Sequence, residues 1–133
     1  MRRHGWVIAV RLAPVAFLIA ATVSYVFHVQ GATRYALFNA VPMVAVLVLA
    51  YVTLRLGGGR WHGAGWRWPL ASVGYALPAV GLSLYLHYGY SVDKDGMASE
   101  AIDPLALFRF LPIYTMFAGA IGFAIGWIVG RNV

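Results

Sequence analysis

Residues 35–54 read YALFNAVPMVAVLVLAYVTL, twenty consecutive positions without an aspartate, glutamate, lysine or arginine. An α-helix rises 1.5 Å per residue, so about 20 apolar residues cross the roughly 30 Å hydrocarbon core of a bilayer. Three more stretches of the same kind follow from the same test: 12–29, 68–90 and 110–130 are also free of formal charge. These are continuously apolar blocks, unlike the alternating ten-residue strands of a membrane barrel. Backbone groups in lipid must be bonded internally. The expectation is therefore an all-α integral membrane protein, a four-transmembrane-helix bundle in one membrane domain covering residues 1–133.

The composition agrees. Of 133 residues, 62% are hydrophobic and 11% are charged, against about 25% charged in soluble domains. The formal charge of +6 would point to nucleic acid in a soluble protein, but here the positive-inside rule accounts for it and no nucleic-acid partner is expected. The chain has no cysteine, which removes disulfides, thiolate chemistry and thioether-linked haem. Arg2 and Arg3 before an apolar run imitate a signal peptide, yet the run is long and Val29-Gln30-Gly31 is a poor cleavage site, so 12–29 reads as a retained first span.

Charge also sets an orientation. With a cytoplasmic N-terminus, that side carries Arg2, Arg3, Arg11, Arg55, Arg60, Arg67 and Arg131. The other side carries Arg34, Lys94 and Arg109 with all four acids, Asp93, Asp95, Glu100 and Asp103. Seven against three predicts that both termini are cytoplasmic, and bacterial cytoplasmic (inner) membrane is the expected location. All five tryptophans (Trp6, Trp61, Trp66, Trp68, Trp127) fall at the arginine-rich end, whereas most tyrosines fall at the other. Such rings anchor spans at headgroup depth.

The connection between the second and third spans, 55–67, holds five glycines and reads as a flexible linker. Within it and just after it, Arg60, Trp61, Trp66, Arg67 and Trp68 are suited to anionic lipid headgroups. Its triple glycine lacks the Gly-Lys-Ser/Thr ending of a phosphate loop. Loop 91–109 is the one sizeable external feature. Asp103-Pro104 reads as a helix start, with a short interfacial helix over Leu105–Phe110. Asp93-Lys94-Asp95-Gly96 fails the EF-hand spacing, because glycine comes fourth and position twelve is Pro104.

Ala118, Gly122, Gly126 and Gly130 recur at four-residue steps and share one face of the fourth helix, which permits close approach of another helix. That helix can belong to the same chain or to a second one. The third span carries small residues on two faces, with Ser72, Ala76, Ser83 and His87 on one and Gly74, Pro78 and Gly81 on another, and is expected to sit centrally. The first span offers Ala16, Ala20, Ser24 and His28 at the same step. Prolines lie in or near every span: Pro14, Pro42, Pro78 and Pro112.

His28 and His87 lie near the outer ends of two outward-running spans and continue small-residue stripes, so both are expected to face the bundle. Two histidines at one depth suit the axial ligands of a b-type haem, or a metal; the bland alternative is hydrogen bonding at the interface. Arg11 is expected to snorkel to the headgroups, and Asn39 and Thr115 to bridge helices. No span contains a carboxylate of the kind that couples transport to protons or cations. Small multidrug resistance exporters are similar in length and span number but depend on a first-span glutamate, which this chain lacks. The expected function is a non-catalytic subunit or scaffold, not an enzyme. It would form a homo-oligomer or join a partner membrane protein through the glycine face of the fourth helix. The alternatives are a small homo-oligomeric channel or transporter, and an electron-transfer or quinone-linked protein using His28 and His87.

Overall fold

The computed structural model describes residues 2–30, 34–92 and 106–133, with side chains described over 5–30, 35–92 and 109–133. The chain forms four helices: α1 (Arg2–Gln30), α2 (Arg34–Leu56), α3 (Arg67–Ser91) and α4 (Ala106–Arg131). All four are long and apolar enough to cross a membrane. They run up, down, up and down: the start of α3 meets the end of α2, and the end of α4 returns to the start of α3.

Two boundaries differ from the expectation. First, α1 begins ten residues before the charge-free block. Twenty-nine residues make a rod of about 43 Å, longer than the hydrocarbon core, so its first turns need not be apolar. Second, Ala106–Phe110 is the unbroken first part of α4, with Pro112 inside the helix, and is not a separate interfacial helix. The aspartate-bearing segment, including Asp93, Asp95, Glu100 and the Asp103-Pro104 start, lies outside the described residues.

The tightest contact is between α3 and α4, and glycine is the reason. A Cβ added at Gly122 would lie 1.8 Å from the Gly74 carbonyl oxygen, and one added at Gly74 would lie 2.1 Å from the Gly122 oxygen. The same holds at Gly126 against the Leu70 oxygen and at Gly130 against Arg67. Backbone rests on backbone, which is how helices associate when lipid supplies no hydrophobic drive between them. Gly119 makes room for the Tyr75 ring, and the Tyr75 hydroxyl donates to the Pro42 carbonyl of α2 at 3.0 Å. One tyrosine thereby ties three helices together. At the arginine-rich end Trp68 meets Trp127 and Phe123 edge-on, at 5.4 and 6.2 Å between ring centres. The Arg67 guanidinium lies over Trp127.

By contrast, α1 is peripheral. It touches α2 and α3 but not α4 among the described residues. Its buried positions, Ile8, Ile19, Val26 and Gln30, form a narrow stripe, and Ile19 and Val26 pack on Ala36 and Met43 of α2. The small-residue stripe expected to face the bundle does not: Ala20, Ser24 and His28 are exposed and Ala16 is half-buried. Large aliphatic side chains, not small ones, dock this helix.

The glycine-rich connection is also more ordered than a flexible linker. Gly59 N–H donates to the Leu54 carbonyl at 2.8 Å and Gly58 N–H to the Arg55 carbonyl at 3.4 Å, with Gly58 at φ 64°. This is a Schellman ending for α2, in which glycine takes the left-handed position. Further turns at Arg60, Gly63 and Gly65 complete the connection.

A leucine at position 122 has no room in this arrangement. Gly122→Leu is expected to destabilise the monomer by about 3 kcal/mol or more, since overpacking a filled site costs about 1–3 kcal/mol where side chains alone must yield. Thermal unfolding of the monomeric peak in detergent checks this. An unchanged midpoint would contradict the backbone contact.

Candidate functional site

The side chains singled out as a ligand pair are treated very differently by the fold. His87 is completely buried, whereas His28 is exposed on the outer surface of α1. The His87 Nδ1 lies 2.7 Å from the Ser83 carbonyl one turn earlier. A carbonyl can only accept, so Nδ1 carries the proton and Nε2 is left as an acceptor. The Gln30 side-chain amide, at the buried end of α1, donates to Nε2 at 2.6 Å. Both imidazole nitrogens are engaged, and the second histidine faces away. The residues do not fit an axial haem pair, nor a shared metal site; among the described residues no cluster of three metal-ligating side chains occurs.

What His87 does instead is fasten α1 to α3. The contact sits near the outer ends of both helices, beside a long Tyr25 hydroxyl to Ser91 hydroxyl contact of 3.5 Å. At the other end α1 is fastened through Arg11, which donates to the Gly59 carbonyl at 2.5 Å, while Val7 packs on the Gly59 backbone. Arg11 therefore finds a protein carbonyl rather than simply reaching for headgroups.

Between these two fastenings, α1 and α3 stand apart. The space is a lateral groove of about 700 Å³, within the roughly 300–1,000 Å³ range of ligand pockets. Val46 and Ala50 of α2 form its floor. Val15, Leu18 and Thr22 of α1 line one wall, and Ala76, Leu77 and Gly81 of α3 line the other. Two hydroxyls border it, and both are hydrogen-bonded within the protein: Thr22 donates to the Ile19 carbonyl at 2.9 Å, and Ser72 pairs with Thr53 at 3.0 Å. Trp61 and Pro69 close the arginine-rich end. Along α3 the groove extends from Pro69 to Leu84, about 22 Å of helix.

The other expected site residues are distributed around this frame. Gly122, Gly126 and Gly130 meet α3 of their own chain, and Ala118 on the same face is half-buried. The glycine face is thus filled from within, and association of two chains through it would first require α3 to be displaced. Of the headgroup candidates, Arg60 and Trp66 are exposed; Arg67 and Trp68 are half-buried in the aromatic cluster with Trp127, and Trp61 is half-buried in the groove. Thr115 bonds within its own helix, whereas Thr53, which sequence reasoning passed over, joins Tyr75 in bridging α2 and α3, through its contact with Ser72.

No protein-family model matches the chain, and no match was found among curated proteins or solved structures.

The Gln30–His87 contact has a measurable signature. Removing one partner leaves a buried polar group, at about 1–3 kcal/mol, while replacing both with apolar groups can be nearly neutral. Gln30→Leu and His87→Leu are each expected to lower stability, with the double variant recovering at least about 1 kcal/mol relative to the sum. Denaturation of the four proteins in one detergent measures the cycle; simple additivity would remove the bond from consideration.

Proposed function

We propose that this chain is a non-catalytic integral membrane protein, a subunit or scaffold component, whose working feature is the α1–α3 groove. The groove receives one hydrocarbon chain from the surrounding bilayer. The observation that carries this reading is a cavity of about 700 Å³ whose bordering hydroxyls are already hydrogen-bonded to protein. An ion or polar solute gains nothing from such a lining, because each polar group it displaced from a partner would have to be re-satisfied. A hydrocarbon chain needs only contact. For the same reason the channel or transporter alternative draws less support from this cavity. Association with a further membrane protein is retained as part of the proposal, through a surface other than the glycine face.

The proposed orientation places both termini and the 57–66 connection in the cytoplasm, in a bacterial inner membrane, on the strength of the arginine bias. Because the native chain has no cysteine, single substitutions report cleanly. Ala64→Cys should be shielded from an impermeant maleimide in intact cells, and Ala98→Cys should be labelled. Labelling of Ala64→Cys with Ala98→Cys shielded would reverse the topology, and labelling of both from outside would abolish it.

The groove itself is tested at Gly81. It lines the cavity, and a Cβ added there meets nothing within 4 Å, so Gly81→Trp can fill the space without disturbing a packed contact. Purified wild-type protein should retain about one phospholipid per chain through a delipidating detergent wash, seen by native mass spectrometry. Gly81→Trp should lose it while keeping its helical circular dichroism. Wild-type protein free of lipid, or equal lipid on both, would end this reading.

A further inference from the structure

We infer that the groove selects an anionic glycerophospholipid, with its phosphate at the Arg11–Arg60 end and one acyl chain running along α3; this rests on the reading of the groove as a hydrocarbon-chain site. The groove is chemically asymmetric. Its lining surface is almost wholly apolar, whereas Arg11 and Arg60, which do not line it, adjoin the lining residues Val15 and Trp61 along the chain. Arg11 lies four residues before Val15 and eleven before Thr22 on α1, so it continues the stripe that forms the wall. Arg60 immediately precedes Trp61 and is exposed.

Arg11 is held in place by the protein. Its guanidinium is oriented by the Gly59 carbonyl, which uses one of its five N–H donors. The planar fork then presents further donors in the geometry that matches a phosphate. The Gly59 carbonyl is itself fixed, because Gly59 N–H is bonded to Leu54 and its backbone rests on Val7. A cation set at the mouth of an apolar slot is complementary to an amphiphile with one negative end. Trp61 at the same level suits the boundary between chain and headgroup.

Dimensions agree with one lipid chain. About 22 Å of α3 lines the slot, more than the roughly 15 Å of hydrocarbon in one leaflet. A chain entering at the arginine end is accommodated over its whole length. By the proposed orientation that end faces the cytoplasmic leaflet, where anionic lipids interact with basic residues.

The test uses full-length protein reconstituted in vesicles of equal phosphatidylcholine and phosphatidylglycerol with identical acyl chains. The protein is then released in mild detergent for native mass spectrometry. Wild-type protein should retain phosphatidylglycerol at least tenfold over phosphatidylcholine. Arg11→Gln, which keeps a side-chain N–H donor for Gly59, and Arg60→Gln should each reduce that preference about fivefold. Gly81→Trp should remove the bound lipid of either class. Equal retention of the two lipids by wild-type protein, abolished by Gly81→Trp, would overturn the headgroup selection while leaving the chain site standing. Retention insensitive to Gly81→Trp would overturn both. An undiminished preference in the double variant Arg11→Gln/Arg60→Gln would likewise refute the assignment of these two arginines.

Discussion

The backbone contact between Gly74 and Gly122 sets the rest of the molecule. Lipid tails are as apolar as leucine, so two helices in a bilayer gain little by hiding apolar side chains from their surroundings. They gain by close packing, and no packing is closer than one helix backbone lying against another. With glycine at 74, 122 and 126, α3 and α4 approach until a single added carbon would collide with a carbonyl. Tyr75 then spans from Gly119 to the Pro42 carbonyl, and Thr53 pairs with Ser72. The result is a three-helix unit, α2–α3–α4, in which the bonds between helices come from small or polar residues and many large aliphatic side chains face outward. Exposed Ile121, Ile125 and Phe117 on α4 fit that division.

The packing of α1 on α3 is much looser than that of α4 on α3. The helix α1 seats large side chains, Ile19 and Val26, on α2, and is fastened to α3 at its outer end and to the connection after α2 at the other. At one end a buried glutamine reaches the histidine. At the other, an arginine reaches the turn that ends α2. Both are polar fastenings whose alternatives in an apolar medium are poor: an unsatisfied amide at one end, and at the other an arginine whose burial in lipid is expensive. The groove is the space left between two fixed ends. Its width is therefore a property of the bundle as a whole.

Much of this was legible in the chain. The four spans are visible because hydrocarbon excludes charge, and only the termini of α1 and α4 escape that test, since helix continues freely outside the hydrocarbon. The stripe at 118, 122, 126 and 130 gave the face of α4, because four-residue spacing is a geometric property of one helix. It did not give the partner, because the spacing says nothing about which helix lies opposite; the matching Gly74 and Pro78 on α3 were the available clue. His28 and His87 looked equivalent by depth. They differ by rotation about the helix axis, which depth does not report, and Gln30, two residues after His28, is the side chain that turns inward. The groove had no sequence signature at all. A void is defined by what neighbouring helices fail to fill, and no single helix records it.

Arg11 couples α1 to the connection after α2. Read along the sequence it is a charge one turn inside an apolar helix, and flexible escape to the headgroups would satisfy it. In the fold it donates to Gly59, a carbonyl that exists in that position because α2 ends in a left-handed glycine at 58. The connection following α2 consequently does two things that a disordered linker would not. It stops the helix with its last carbonyl groups satisfied, and it offers a carbonyl to the neighbouring helix at the mouth of the groove. The same glycines that looked like slack in the chain are what hold a cation still at the edge of an apolar slot. In the lipid site proposed here, this held cation beside an apolar groove is the recognition element for an amphiphile, built from backbone geometry as much as from side chains.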